Sequence, residues 1–123
     1  MLFTKLLTRG TGYALREVCG STLCLKPGET VSDTLLRFGV REPQFTRLVA
    51  AEIGEGMNVL EIGANIGHVT CMLARLVGEN GAVLAVEPVP ANLRLLRANI
   101  SLNGYSQVKV YWFSVNWTVA SSI

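Results

Sequence analysis

Histidine is nearly missing from this 123-residue sequence, which has only His68, and cysteine is sparse, with Cys19, Cys24 and Cys71. No two of these cysteines stand at C-x-x-C spacing, so no zinc site is expected. An odd cysteine count with no export signal points to reduced thiols and a cytoplasmic location. Long apolar runs are missing too. Met1–Arg9 puts Leu2, Phe3, Leu6 and Leu7 on one helical face, but this run is too short for a signal-peptide core. Nothing approaches the roughly 20 residues that cross a bilayer, so no membrane span is expected. Charge is scarce: 16% of residues, net +2. The basic residues of the first fifty positions are scattered rather than clustered, which argues against a nucleic-acid partner. The N-x-[ST] matches at Asn99 and Asn116 read as chance in such a chain.

What is present is apolar and well punctuated. Half of the residues are hydrophobic, enough to build one buried core without staples. Three segments are expected: an N-terminal extension over 1–41, an α/β core over 42–113 and an apolar tail over 114–123. In the extension a short helix gives way to an extended stretch at Ser21–Leu25 and a turn at Lys26-Pro-Gly-Glu. Val31–Phe38 fits helix or strand equally. From Glu42 the pattern sharpens into a helix with Phe45, Leu48, Val49 and Ile53 inward, then a strand at Asn58–Ile62. A helix over Ile66–Val77, a strand at Ala82–Glu87, a helix from Ala91 to Leu102 and a strand at Gln107–Phe113 follow. Their short connections predict a parallel sheet with helices on its faces and a ligand at the carboxyl ends of the strands. The apolar run of the second strand suggests cover on both of its faces.

The first of these strands ends in Glu61-Ile-Gly63-Ala64-Asn65-Ile-Gly67 and runs straight into a helix. Glycine lets the chain turn sharply there and lets a ligand lie against bare backbone, while the helix N-terminus offers unpaired N–H groups. Asn65 tolerates a left-handed backbone. The dinucleotide pattern G-x-G-x-x-G, counted from Gly63, would need glycines where Asn65 and His68 stand. The pattern acid-x-G-x-G-x-G is met with one substitution, at Asn65. A carboxylate in this loop suits a cationic ligand and repels pyrophosphate. Glu87, ending the next strand 20 residues after Gly67, can accept hydrogen bonds from two ribose hydroxyls. His68 and Cys71 read as packing residues, Asn92 and Asn99 as capping and solvent-facing ones, and Tyr111, Trp112, Phe113 and Trp117 as core.

The stretches REPQFTRLV at 41–49, NVLEIGANIGHVT at 58–70 and GAVLAVEPVPANLRLLRANISLNG at 81–104, with the strand QVKVY, resemble the FkbM family of class I, S-adenosylmethionine-dependent methyltransferases. The resemblance implies an α/β fold: an incomplete Rossmann-like methyltransferase core, parallel β-α-β-α-β, behind an N-terminal helical extension. It implies S-adenosylmethionine as cofactor, with Glu61, Gly63, Ala64, Asn65 and Gly67 on its methionine side and Glu87 and Pro88 at the ribose. Glu42 is placed near the pocket mouth by the same resemblance. The implied reaction is O-methylation of a small-molecule, sugar or lipid hydroxyl. The usual sheet has seven strands and this sequence reaches the third, so it reads as the cofactor-binding half, with an open sheet edge that invites self-association. An inactive fragment or assembly piece is the competing reading, and an NAD-dependent oxidoreductase is disfavoured by the glycine spacing.

Overall fold

The computed structural model describes residues 11–113. It opens with a hairpin, β1 (Ala14–Val18) and β2 (Ser21–Leu25), paired antiparallel with Val18 opposite Ser21. Cys19 and Gly20 form the two-residue turn at φ +48° and +83°, the doubly left-handed conformation that matches strand twist. Helix α1 (Thr30–Phe38) follows, so the open choice at Val31–Phe38 resolves as helix. Its start is held by Ser32 and Asp33, whose side chains accept the Lys26 and Gly28 N–H groups. Its end is held by the Arg16 guanidinium, which donates to the Leu35 and Leu36 carbonyls. The extension is thus a hairpin plus a helix rather than helical throughout. The expected opening helix at Met1–Arg9 lies outside the described residues.

Helix α2 (Pro43–Glu52) leads to β3 (Asn58–Ile62), α3 (His68–Val77), β4 (Ala82–Val86), α4 (Pro90–Leu102) and β5 (Val108–Tyr111). The three later strands pair in parallel in the order β3-β4-β5, with Val59 beside Val83 and Val83 beside Val108. Successive right-handed crossovers in one direction put α3 and α4 on the same side of the sheet. The side chains turned to them, Val83 and Ala85, are fully buried. On the other face Leu60, Ile62 and Leu84 are 62%, 79% and 38% exposed. Cover on both faces of the second strand was the expectation; among the described residues only one is covered.

Helix α3 is buried nearly all round, with Cys71, Ala74 and Val77 at 0% exposure. Helix α4 turns Leu93 and Leu96 to the sheet and Leu95 and Asn99 to the hairpin. Asn99, expected in solvent, is fully buried. Its amide accepts the Cys24 N–H at 2.7 Å and donates to the Cys24 carbonyl at 3.2 Å and the Ile66 carbonyl at 2.8 Å. One turn later Asn103 does the same for Thr22, at 2.9 and 2.8 Å. Arg75 adds a bond to the Cys19 carbonyl, and Ser21 one to the Tyr105 hydroxyl. The hairpin is therefore bolted to the helices of the sheet.

Two groups of expected core residues are in fact exposed. In α2, only Val49 of the expected inward set is buried; Phe45 and Leu48 are 45% and 57% exposed, because the helix meets α3 along one narrow stripe. Tyr111, Trp112 and Phe113 are 43–57% exposed, since β5 is a sheet edge with nothing described beyond it. Trp117 lies outside the described residues.

Candidate cofactor site

β3 and β4 end side by side, and this brings Glu61 and Glu87 to the same edge of the sheet. Between them the loop after β3 folds back on β4: the Gly63 and Ala64 N–H groups both donate to the Val86 carbonyl, at 2.8 and 3.0 Å. Gly63 (φ +83°) and Asn65 (φ +54°) take the left-handed conformations the motif requires. Gly67 (φ +95°) caps α3, and a Cβ there would stand 2.8 Å from the Leu96 side chain. That glycine serves helix packing as well as the turn. At Gly63 a Cβ would meet nothing within 4 Å, so the loop presents bare backbone to open space.

Glu87 is buried, not the solvated strand-end acid that was its bland alternative. One carboxylate oxygen accepts the Asn65 N–H at 2.6 Å and the other the Val89 N–H at 2.8 Å. It ties the glycine loop to its own strand end and keeps lone pairs for a ligand. Glu61 accepts the Thr70 hydroxyl at 2.6 Å. Burial raises its pKa to about 7, with the Thr70 bond opposing and the Glu87 charge adding to the rise. Thr70 was missed by the sequence reading; a hydroxyl in an otherwise apolar helix, one turn past Gly67, was the available signal. Ala64 is 1% exposed and packs against Ala85, Leu93 and Leu96, so only its backbone belongs to the loop surface. Pro88 is exposed, and its carbonyl accepts the Trp112 indole N–H at 3.0 Å.

His68 opens α3 with Nδ1 buried and without a hydrogen-bond partner. Burial lowers its pKa to about 4, with Arg41 adding to the depression and Glu42 opposing it. It is neutral and packed. Glu42 itself is exposed at φ +52°, at the N-terminus of α2. Cys71 is fully buried and its thiol is pushed up to about 12 by burial and then by Glu61, which removes any nucleophilic role. Among the described residues no group of His, Cys, Asp and Glu could hold a metal ion, and no helix is long and apolar enough to cross a membrane.

The donor set fits a cation-bearing nucleoside better than a pyrophosphate. A buried carboxylate, Glu87, and a half-buried one, Glu61, stand at adjoining strand ends; desolvation raises the pKa of Glu61, and the glycine turn leaves room above it. Fold and site together define a class I, S-adenosylmethionine-dependent methyltransferase. Residues 22–114 match the family model of protein-L-isoaspartate(D-aspartate) O-methyltransferase. That span is most of the sequence, and the chain belongs to this family. A protein-L-isoaspartate O-methyltransferase of Methanococcoides burtonii is 46% identical over 59 residues, 48% of this chain and 29% of the relative. Another of Methanococcus aeolicus is 36% identical over 73 residues, 59% of this chain and 33% of that relative. A solved protein-L-isoaspartate O-methyltransferase superposes with a TM-score of 0.55 at 28% identity, over 59% of this chain and 24% of that one. The chain spans about a third or less of the length of these relatives.

The match overturns the FkbM resemblance. GANIG and the E-P-x-P run lie on the glycine turn after β3 and at the end of β4, features that go with the class of fold rather than with one family. The expectation of a small-molecule, sugar or lipid hydroxyl as acceptor falls with it, because the matched family is named for a protein acceptor. The cofactor expectation stands, since S-adenosylmethionine belongs to the class.

Proposed function

We propose that the chain is the cofactor-binding portion of an S-adenosylmethionine-dependent protein-carboxyl methyltransferase, acting on isoaspartyl or D-aspartyl residues. The observation that carries this reading is the family match across the whole β3–β5 unit, with Glu61 and Glu87 at adjoining strand ends. In it residues 42–113 are the core and the hairpin with α1 a packed extension. Glu61 and the backbone of Gly63, Ala64, Asn65 and Gly67 face the methionine end, and Glu87 with Pro88 the ribose. When bound, S-adenosylmethionine supplies a methyl group already activated on its sulfonium.

The protein's part is to hold that methyl in line with an acceptor oxygen and to exclude water. The free carboxylate of such a residue, which in an isoaspartyl linkage is the α-carboxylate, is ionised at neutral pH and attacks without losing a proton, so the reaction needs no general base. This agrees with two acids that are bonded to Thr70 and to backbone N–H groups, and with a histidine at the start of α3 whose pKa is lowered to about 4. The reading is tested by calorimetric titration with S-adenosylhomocysteine, with Glu87→Ala as control, followed by transfer of labelled methyl to an isoaspartyl peptide and its aspartyl twin. Micromolar binding lost in the variant, with label entering only the isoaspartyl peptide, is the expected result. A folded chain that binds no S-adenosylhomocysteine would overturn the reading.

A further inference from the structure

Beyond the crevice, a groove of about 600 Å³ runs between the first turns of α4 and the end of β5, lined by Pro90, Leu93, Arg94, Arg97 and Trp112. None of the glycine-loop residues lines it. Trp112 is 54% exposed, but its indole N–H is held by the Pro88 carbonyl, which fixes the ring and leaves its surface open. Arg94 and Arg97 stand at i and i+3 on α4, both exposed. The ion pair found among the described residues, Lys26 with Glu29, involves neither arginine.

Two neighbouring guanidiniums with no ion pair among the described residues, although Arg94 also borders a second hollow with Lys26 and Glu29, stand beside a fixed indole and two apolar residues and make a surface complementary to paired carboxylates next to an apolar side chain. We propose that this groove docks an acidic peptide segment in extended form. On a helix, side chains three apart are about 5–6 Å apart at Cβ; in an extended strand, residues i and i+2 share a face roughly 6–7 Å apart. Acidic residues at alternate positions therefore meet both arginines, and an apolar residue two positions further reaches Trp112. A nucleic acid is the poorer match. Its affinity comes from many phosphate contacts, whereas the groove offers two cations on a chain of net charge +2. The inference goes beyond methyl transfer, because docking needs no cofactor.

The test is fluorescence anisotropy of a labelled peptide Leu-Ser-Glu-Ser-Glu with the full chain, against versions carrying Lys or Ser in place of Glu, and against oligothymidylate of equal length. The double variant Arg94→Glu with Arg97→Glu is the main probe; both side chains are exposed, and circular dichroism checks its fold. The acidic peptide is expected to bind the wild type at least about tenfold more tightly than the double variant, and more weakly as salt is added. The lysine peptide is expected to bind the double variant and not the wild type. Trp112→Ala is expected to weaken the acidic peptide severalfold. Equal binding of acidic and serine peptides, indifference to charge reversal, or no binding at all would overturn the proposal. Tighter binding of oligothymidylate would overturn it in favour of single-stranded nucleic acid.

Discussion

Glu61 and His68 are half-buried titratable groups whose charge the fold suppresses, and they pull stability in opposite directions with pH. The folded-state pKa of Glu61, about 7, lies above its ordinary 4.5. Its favourable contribution is complete below pH 4.5 and is lost as pH rises through 7, on the order of 3 kcal/mol. The folded-state pKa of His68, about 4, lies below its ordinary 6.5. Its contribution is complete above pH 6.5 and is lost as pH falls towards 4. Between about pH 4.5 and 6.5 the two slopes oppose each other, so urea denaturation of the wild type should give a nearly flat stability profile. Glu61→Gln should leave stability rising with pH across that window, and His68→Phe should leave it falling. Parallel profiles in all three proteins would mean that neither group is desolvated as the geometry implies. On the proposed reading the same acid links pH to the cofactor: an ammonium bound beside Glu61 would favour its ionised form, so binding would release a proton. S-adenosylhomocysteine affinity should rise roughly tenfold from pH 6 to pH 8, and Glu61→Gln should abolish the rise while calorimetry in buffers of different ionisation enthalpy shows no proton uptake or release.

At the scale of elements, Asn99 and Asn103 decide whether the hairpin belongs to the fold. Asn99→Ala strips partners from the half-buried Cys24 N–H and the buried Ile66 carbonyl at once. Leaving such groups unsatisfied costs about 1–3 kcal/mol each, so a loss of roughly 3 kcal/mol is expected in urea denaturation. Hydrogen exchange should speed up first at Cys24 and in the glycine loop, which share this side chain; protection unchanged in both would show that the hairpin is held by apolar contact alone. Much of this level was legible in the sequence. Each element from α2 to β5 falls within a few residues of its expectation, because glycine, proline and apolar periodicity are local signals that the tertiary fold did not override. The acids at 61 and 87 were legible for the same reason: spacing along two strands becomes adjacency when the strands pair. What stayed hidden was long-range. β1 carries Arg16 and Glu17 between apolar ends and turns through Cys19, an unusual residue for a left-handed position. The inward turn of Asn99 depends on a hairpin 75 residues earlier. The exposure of Tyr111 to Phe113 depends on what lies beside β5, which their own apolar character does not encode.

For the whole molecule, the governing fact is that one sheet carries both crossover helices on one side. Leu60 and Ile62 on β3 and Leu84 on β4 form an apolar strip on the other side, continuous because parallel register sets Leu60 against Leu84. β3 also keeps an unpaired outer edge among the described residues. A strip of this kind stays in water at a cost in solubility rather than in fold, since side chains already 62% and 79% exposed add little to the core. Substituting Leu60→Thr together with Ile62→Thr should therefore leave the urea midpoint within about 0.5 kcal/mol of wild type. Threonine is β-branched and favours strand, so β3 itself should persist. The same double variant should lose most of the fluorescence of a hydrophobic dye such as anilinonaphthalene sulfonate and stay in solution at higher concentration. Stability falling by several kcal/mol would show instead that the strip is covered in solution, and undiminished dye fluorescence would move the apolar surface to the other exposed pairs, Trp112 with Phe113 after β5 or Phe45 with Leu48 on α2.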